Sequence, residues 1–144
     1  MKQSAALYRL QKVDHELDTR RARVQAIADL LAQDEALRQA EAAVTGAETT
    51  LRPLQTRVND LNLELKSVAT QTTQLTDRLY GGTVSNPKEL EDIQEKIAER
   101  KRRHVELENR LLDTMIEVED VQAALADASA HLQEMRAARR SETA

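Results

Sequence analysis

The chain has 144 residues, of which 32% are charged and 1% aromatic, and it contains no Phe, Trp or Cys. It therefore lacks the large side chains that fill a compact core of this length, and it cannot form disulfides or thiolate zinc sites from its own residues. The formal net charge of -4, with acids and bases interspersed, is not typical of a polyanion-binding protein. The remaining composition favours long helices.

The first run of apolar residues follows alternating spacings of three and four, which is the seven-residue repeat of a coiled coil. Its seam positions are Leu10, Val13, Leu17, Arg20, Val24, Ile27 and Leu31. The next seam residue is Leu37, so the phase of the repeat slips near residues 33 and 34. We consider three arrangements for residues 1–33: they extend the helix, fold back at the slip, or pair with a continuation of the chain beyond residue 144.

The second run keeps the same spacing from Leu37 to Leu79. Its seam positions are Leu37, Ala40, Val44, Ala47, Leu51, Leu54, Val58, Leu61, Leu65, Val68, Thr72, Leu75 and Leu79. Pro53 interrupts this run, and proline inside a helix costs about 3 kcal/mol because it removes a backbone donor and clashes with the preceding turn. Because the repeat keeps its phase across Pro53, we expect a first helix over about 3–80 with a kink between Gly46 and Pro53. A break into two helices, there or near residue 33, is the alternative.

The strongest turn signal covers residues 81–86. Gly81 or Gly82 suits the left-handed conformation that ends many helices, Asn86 is a favourable N-cap, and Pro87 suits a first helical position. We therefore expect a second helix over about 87–140. A loop this short makes the two helices antiparallel neighbours.

The third run occupies the second helix with the same repeat. Its seam positions are Leu90, Ile93, Ile97, Arg100, His104, Leu107, Leu111, Thr114, Val118, Val121, Leu125, Ala128, Leu132 and Met135. Pairing about the loop places Leu79 near Leu90 and residues near 140 opposite residues near 30. The sequence thus predicts an all-α fold, a long antiparallel coiled-coil hairpin with a kinked first helix, forming a single domain over residues 1–144.

The tip segment Leu79–Leu90, followed by Ile93 and Ile97, resembles the hairpin tip of a bacterial family with a long N-terminal coiled coil and a C-terminal C4 zinc ribbon. Residues 10–18, 102–108 and 115–119 also resemble that family. The resemblance implies an adaptor or nucleic-acid-associated function, and some members are linked to secretion or transcription machinery. This chain has no CxxC pair. We therefore expect it to be truncated before a ribbon, and a zinc cofactor only if that ribbon exists beyond residue 144.

Two surfaces are candidates for binding a partner. The tip loop is longer than a hairpin needs and carries apolar groups at an exposed end, and loops on rigid scaffolds often bind partners. Its residues are Tyr80, Gly81, Gly82, Thr83, Val84, Ser85, Asn86, Pro87 and Lys88. A second apolar stripe lies beside the seam of the second helix, although a two-stranded coil needs only one. Its residues are Val105, Leu112, Met115 and Ile116. The alternative for the tip is that Tyr80 and Val84 simply cap the coil.

The basic run Arg100, Lys101, Arg102 and Arg103 is a candidate contact for nucleic-acid phosphates. Acidic residues flank it and no aromatic residue is interleaved for base stacking, so a solvated coil face is the competing interpretation. The histidines do not form a set of three or four metal ligands. No nucleophile with a partner base is evident, so we expect neither a catalytic nor a metal site.

The sequence favours a non-enzymatic, cytoplasmic adaptor or scaffold that binds other proteins through its tip loop and side stripe. The alternative is a nucleic-acid-associated protein whose coiled coil positions a zinc ribbon missing from this chain. A homo-oligomer is a further arrangement that the side stripe allows. No apolar run of membrane length is present, so we expect no membrane partner.

Overall fold

A computed structural model describes residues 2–143. It contains two helices, α1 (Lys2–Tyr80) and α2 (Pro87–Thr143), which pack against each other as an antiparallel hairpin. The described residues contain no strand. The predicted all-α coiled-coil hairpin is confirmed, and the helix bounds agree closely with those expected from the capping residues and glycines.

The seam of the hairpin contains the residues that the seven-residue repeat selects. Every seam position predicted from Leu37 to Leu79 and from Leu90 to Met135 is buried or half-buried, whereas most of the residues between them are exposed. By internal contacts the chain divides into Val44–Ser129, here called the tip unit, and the described residues before and after it, here called the terminal unit.

The centre of the tip unit is a cluster of Leu61, Val68 and Leu107, with Leu65 and Leu111 packed against it. Leu107 is 0% exposed, the lowest value that a side chain can have. Burial of apolar area of this kind contributes roughly 25 cal/mol per Å² and is the main force holding the two helices together. The terminal unit has a smaller seam, in which Ala40 and Leu132 are buried.

One polar side chain, Thr114, lies buried in the seam of the tip unit. Its hydroxyl donates to the carbonyl oxygen of Arg110 at 2.8 Å. A buried hydroxyl without a partner would destabilise the fold, but this bond to the preceding turn satisfies the donor. Thr114 can therefore occupy a seam position, where apolar residues are usual.

Helix α1 continues without interruption through Pro53. The alternative of a break into two helices, at residues 46–53 or near residue 33, is therefore wrong; the kink remains a prediction. Pro53 leaves the carbonyl of Thr49 without its helical donor, and both residues are exposed, so water can reach that carbonyl. Leu51 and Leu54 are half-buried on either side, and this seam packing offsets the loss of one hydrogen bond.

The first run of α1 is helical but not packed. Residues 2–33 are all exposed, including every seam position from Leu10 to Leu31. They belong to the same continuous helix as the second run, so the fold-back arrangement is excluded.

Candidate partner-binding surfaces

The tip loop is shaped by two glycines and an N-cap. Gly82 has a φ of 72°, in the left-handed region that residues with a Cβ rarely adopt. A Cβ on Gly81 would lie 2.6 Å from the carbonyl oxygen of Asp77, so the chain passes too close to the last turn of α1 for any larger residue. The left-handed conformation predicted for Gly81 or Gly82 therefore occurs at Gly82, while Gly81 is required by the close approach to Asp77.

Helix α2 starts at the capping residue that the sequence indicates. The backbone N–H of Lys88 donates to the Asn86 side-chain oxygen at 3.0 Å, and the N–H of Leu90 donates to the Asn86 carbonyl at 3.0 Å. The side-chain bond satisfies one of the four donors that a helix leaves free at its N-terminus. These bonds fix the direction in which the loop enters α2.

The tip presents one large aromatic side chain to solvent. Tyr80 is 81% exposed, while Val84 is half-buried. Tyr80 is therefore not buried beneath Val84, and the view that the two residues serve only to cap the coil does not account for it. Thr83, Ser85, Pro87 and Lys88 are exposed beside it.

The side stripe remains exposed on α2. Val105, Leu112, Met115 and Ile116 are each between 45% and 59% exposed. Met115 also borders a shallow groove whose lining includes Val58 and Val118 of the seam. The stripe is thus an apolar surface on a hairpin whose seam is already filled.

Acidic residues border the stripe toward its C-terminal end. They are Asp113, Glu117, Glu119 and Asp120, all exposed, and the described residues provide no ion pair for them. Among the bases of the preceding turns, Arg110 pairs with Glu106 at 2.8 Å and is not available to balance these acids. The surface around Met115 and Ile116 is therefore both apolar and locally negative.

Half of the predicted basic run contacts neighbouring polar side chains. Arg100 donates to Gln71 at 3.3 Å and to Glu99 at 3.1 Å, while Arg103 pairs with Glu64 at 3.4 Å and with Glu106 at 3.3 Å. Lys101 and Arg102 are exposed. Two of the four cations thus lie against α1 with their charge partly balanced, which weakens the run as a phosphate-binding surface. Nucleic-acid contact there stays a prediction.

The α1 partners of Arg100 and Arg103 are not evident from the apolar repeat alone. Glu64 and Gln71 each lie one position before a seam residue, Leu65 and Thr72. Residues that flank a seam form the polar contacts between coiled-coil helices. That rule selects Glu64 and Gln71 as candidates for such contacts, but Arg100 is itself a seam residue, and which arginine each of them meets depends on the register between the helices.

The histidines do not gather into a ligand set. His104 Nδ1 lies 3.1 Å from Glu108 Oε1, which is a contact within one helix face. Among residues 2–143, no group of three or more His, Cys, Asp or Glu side chains is arranged to hold a metal ion. Over the same range neither helix contains a stretch long and apolar enough to cross a membrane.

Comparison with protein families matches residues 10–144 to the CT398-like coiled coil hairpin domain. The chain belongs to this family. The matched residues include the seam, the tip loop and the side stripe. The resemblance to a coiled-coil hairpin family is confirmed. No curated protein and no solved structure matches the chain.

Proposed function

We propose that this hairpin domain is a non-enzymatic adaptor that binds other proteins through its side stripe and its tip loop. The observation that carries the proposal is the exposed stripe of Val105, Leu112, Met115 and Ile116. A two-stranded coiled coil buries one stripe per helix, and α2 already buries its seam against α1. A second apolar stripe contributes nothing to folding while it is exposed, but it can bury against a partner helix.

The charges around the stripe define the chemistry of the partner. Asp113, Glu117, Glu119 and Asp120 surround its C-terminal half. A partner helix with an apolar face and flanking Lys or Arg residues would meet complementary charge there, which raises the association rate and selects the orientation. The partner favoured by this surface is therefore a basic amphipathic helix.

The tip loop offers a second point of contact. Tyr80 is the exposed last residue of α1, next to a loop whose backbone is fixed by Gly81, Gly82 and Asn86. Tyrosine gives a large contact area at a small entropy cost, and it is enriched at protein interfaces. We infer that Tyr80 contributes to the same partner complex or to a second protein.

The test is affinity capture of the tagged chain from its native lysate, with and without nuclease, followed by mass spectrometry. Leu112→Glu places a charge in the stripe, and Leu63→Glu is its matched control, because Leu63 is a leucine of similar exposure on α1. Tyr80→Ser tests the tip. We expect nuclease-resistant partners that Leu112→Glu reduces at least tenfold and that Leu63→Glu retains.

Two outcomes would contradict the adaptor proposal. Equal capture by Leu112→Glu, Leu63→Glu and the unchanged chain would show that the stripe binds nothing. Loss of all partners on nuclease treatment would favour the alternative, a nucleic-acid-associated protein. In that case Lys101→Ala together with Arg102→Ala should reduce the salt dependence of binding.

A further inference from the structure

The first run of α1 exposes a coiled-coil seam that is complete in itself. The apolar seam residues Leu10, Val13, Leu17, Val24 and Ile27 are each between 45% and 67% exposed. A segment from residue 10 to residue 27 is about 27 Å long at 1.5 Å per residue. An apolar stripe of this length with seven-residue spacing is the surface that a second helix covers in a coiled coil.

We propose that residues 10–27 pair in antiparallel orientation with the same residues of a second copy of this chain. In an antiparallel pair each seam layer joins a residue whose next seam residue is three positions further along the chain to one whose next seam residue is four positions further along. The layers are then Leu10 with Ile27, Val13 with Val24, and Leu17 with Arg20, each formed twice by the twofold axis. The proposal is independent of the adaptor function, which uses other surfaces.

Charge complementarity selects a second copy as the partner. In the antiparallel register, Glu16 faces Arg23 and Asp14 faces Arg21 across the interface, so the twofold axis generates four attractive pairs. The other flanking contacts join Leu7 to Ala28 and Arg9 to Leu30. No like charges face each other among these flanking positions, although the segment contains both signs. Flanking charges of this kind set partner choice and orientation in coiled coils.

Arg20 decides the orientation. A parallel, in-register pair would place Arg20 against Arg20 at the seam, where two like charges approach each other away from water. The antiparallel pair places Arg20 against Leu17, and Glu16 lies one turn away to receive its guanidinium. The aliphatic part of Arg20 can then cover the leucine while its charge stays near solvent.

Sedimentation velocity of the whole chain, over a concentration series up to about 1 mM, measures the association. We expect the mass to rise toward twice the 16.2 kDa of one chain. Glu16→Arg creates two repulsive contacts and should raise the dissociation constant about tenfold. Adding Arg23→Glu should restore the dimer, because the pair then forms with opposite signs. Adding Arg21→Glu instead should not restore the dimer, because residue 21 faces residue 16 of the other copy only in a parallel pair.

Matched apolar variants separate this surface from the side stripe. Leu17→Glu with Val24→Glu should leave a monomer, whereas Leu112→Glu with Ile116→Glu should leave the mass unchanged. All these positions are exposed in one chain, and far-UV circular dichroism checks that each variant stays helical. The proposal is overturned if the chain is monomeric throughout, if Arg21→Glu rescues and Arg23→Glu does not, or if only the stripe variant dissociates the dimer.

Discussion

The seam of the tip unit and the first run of α1 follow the same seven-residue repeat but differ completely in burial. Leu107 is 0% exposed, while Leu17, which is also a leucine at a seam position, is 45% exposed. The repeat specifies which face of a helix is apolar, and the topology of the chain decides whether a partner covers it. The comparison therefore separates what a sequence pattern contributes to stability from what packing contributes.

The largest difference is expected when a leucine is shortened to alanine in each region. Leu107→Ala should lower the free energy of unfolding by about 2–5 kcal/mol, because it leaves a cavity between two packed helices. Leu17→Ala, measured in dilute solution where the chain is monomeric, should change it by less than about 0.5 kcal/mol. Urea unfolding followed by circular dichroism measures both. Equal losses would mean that the exposed run is packed in solution.

The second prediction concerns Pro53, where the seam compensates for a missing hydrogen bond. Pro53→Ala restores a donor for the carbonyl of Thr49 and removes the ring clash, so it should raise the free energy of unfolding by up to about 3 kcal/mol. Thermal unfolding of the whole chain measures the gain. A loss of stability would show that the seam packing depends on a kink at Pro53.

Most of the fold could be predicted from the sequence because each helix carries its own evidence. The spacing from Leu37 to Leu79 and from Leu90 to Met135 selected the residues that are buried or half-buried. Gly81, Gly82 and Asn86 marked the loop, since a positive φ and an N-cap each require particular residue types. Each of these rules depends only on residues that are close together in the sequence, so the sequence alone is enough to apply it.

The candidate surfaces could be predicted only as exposed apolar groups. Periodicity indicates the stripe around Leu112. The contacts of Arg100 and Arg103 with α1 depend on the register between the helices, and the repeat does not determine which residues of the two helices face each other. For Pro53, the sequence is compatible with either a kink in α1 or a break into two helices. Neither propensity nor spacing gives the strength of the packing that keeps the helix continuous.

The third prediction uses two glycines with opposite roles. Gly46 lies within α1, and a Cβ there would meet nothing within 4 Å, so Gly46→Ala should stabilise the hairpin by about 1 kcal/mol through helix propensity. Gly82 has a φ of 72°, so Gly82→Ala should destabilise it by about 1–2 kcal/mol. Thermal unfolding of the two variants side by side measures the difference. Shifts of the same sign would contradict the tip geometry.

The smallest effect expected is that of the polar contacts beside the seam. Arg103 reaches Glu64 across the helices at 3.4 Å, and both side chains are accessible to solvent. An exposed pair contributes roughly 0–1 kcal/mol, because water screens the charges and the long side chains lose freedom. Glu64→Gln should therefore lower the free energy of unfolding by about 0.5 kcal/mol or less.

Glu106→Gln is the matched control for that variant, since Glu106 contacts Arg103 and Arg110 within a single helix. If cross-helix charges held the hairpin together, Glu64→Gln would cost far more than Glu106→Gln, and added salt would erase the difference. We expect both variants to lose a small and similar amount of unfolding free energy, measured by urea unfolding at low and at high salt. Burial at Leu61, Val68 and Leu107 then accounts for the pairing of the helices, and the flanking charges only adjust its register.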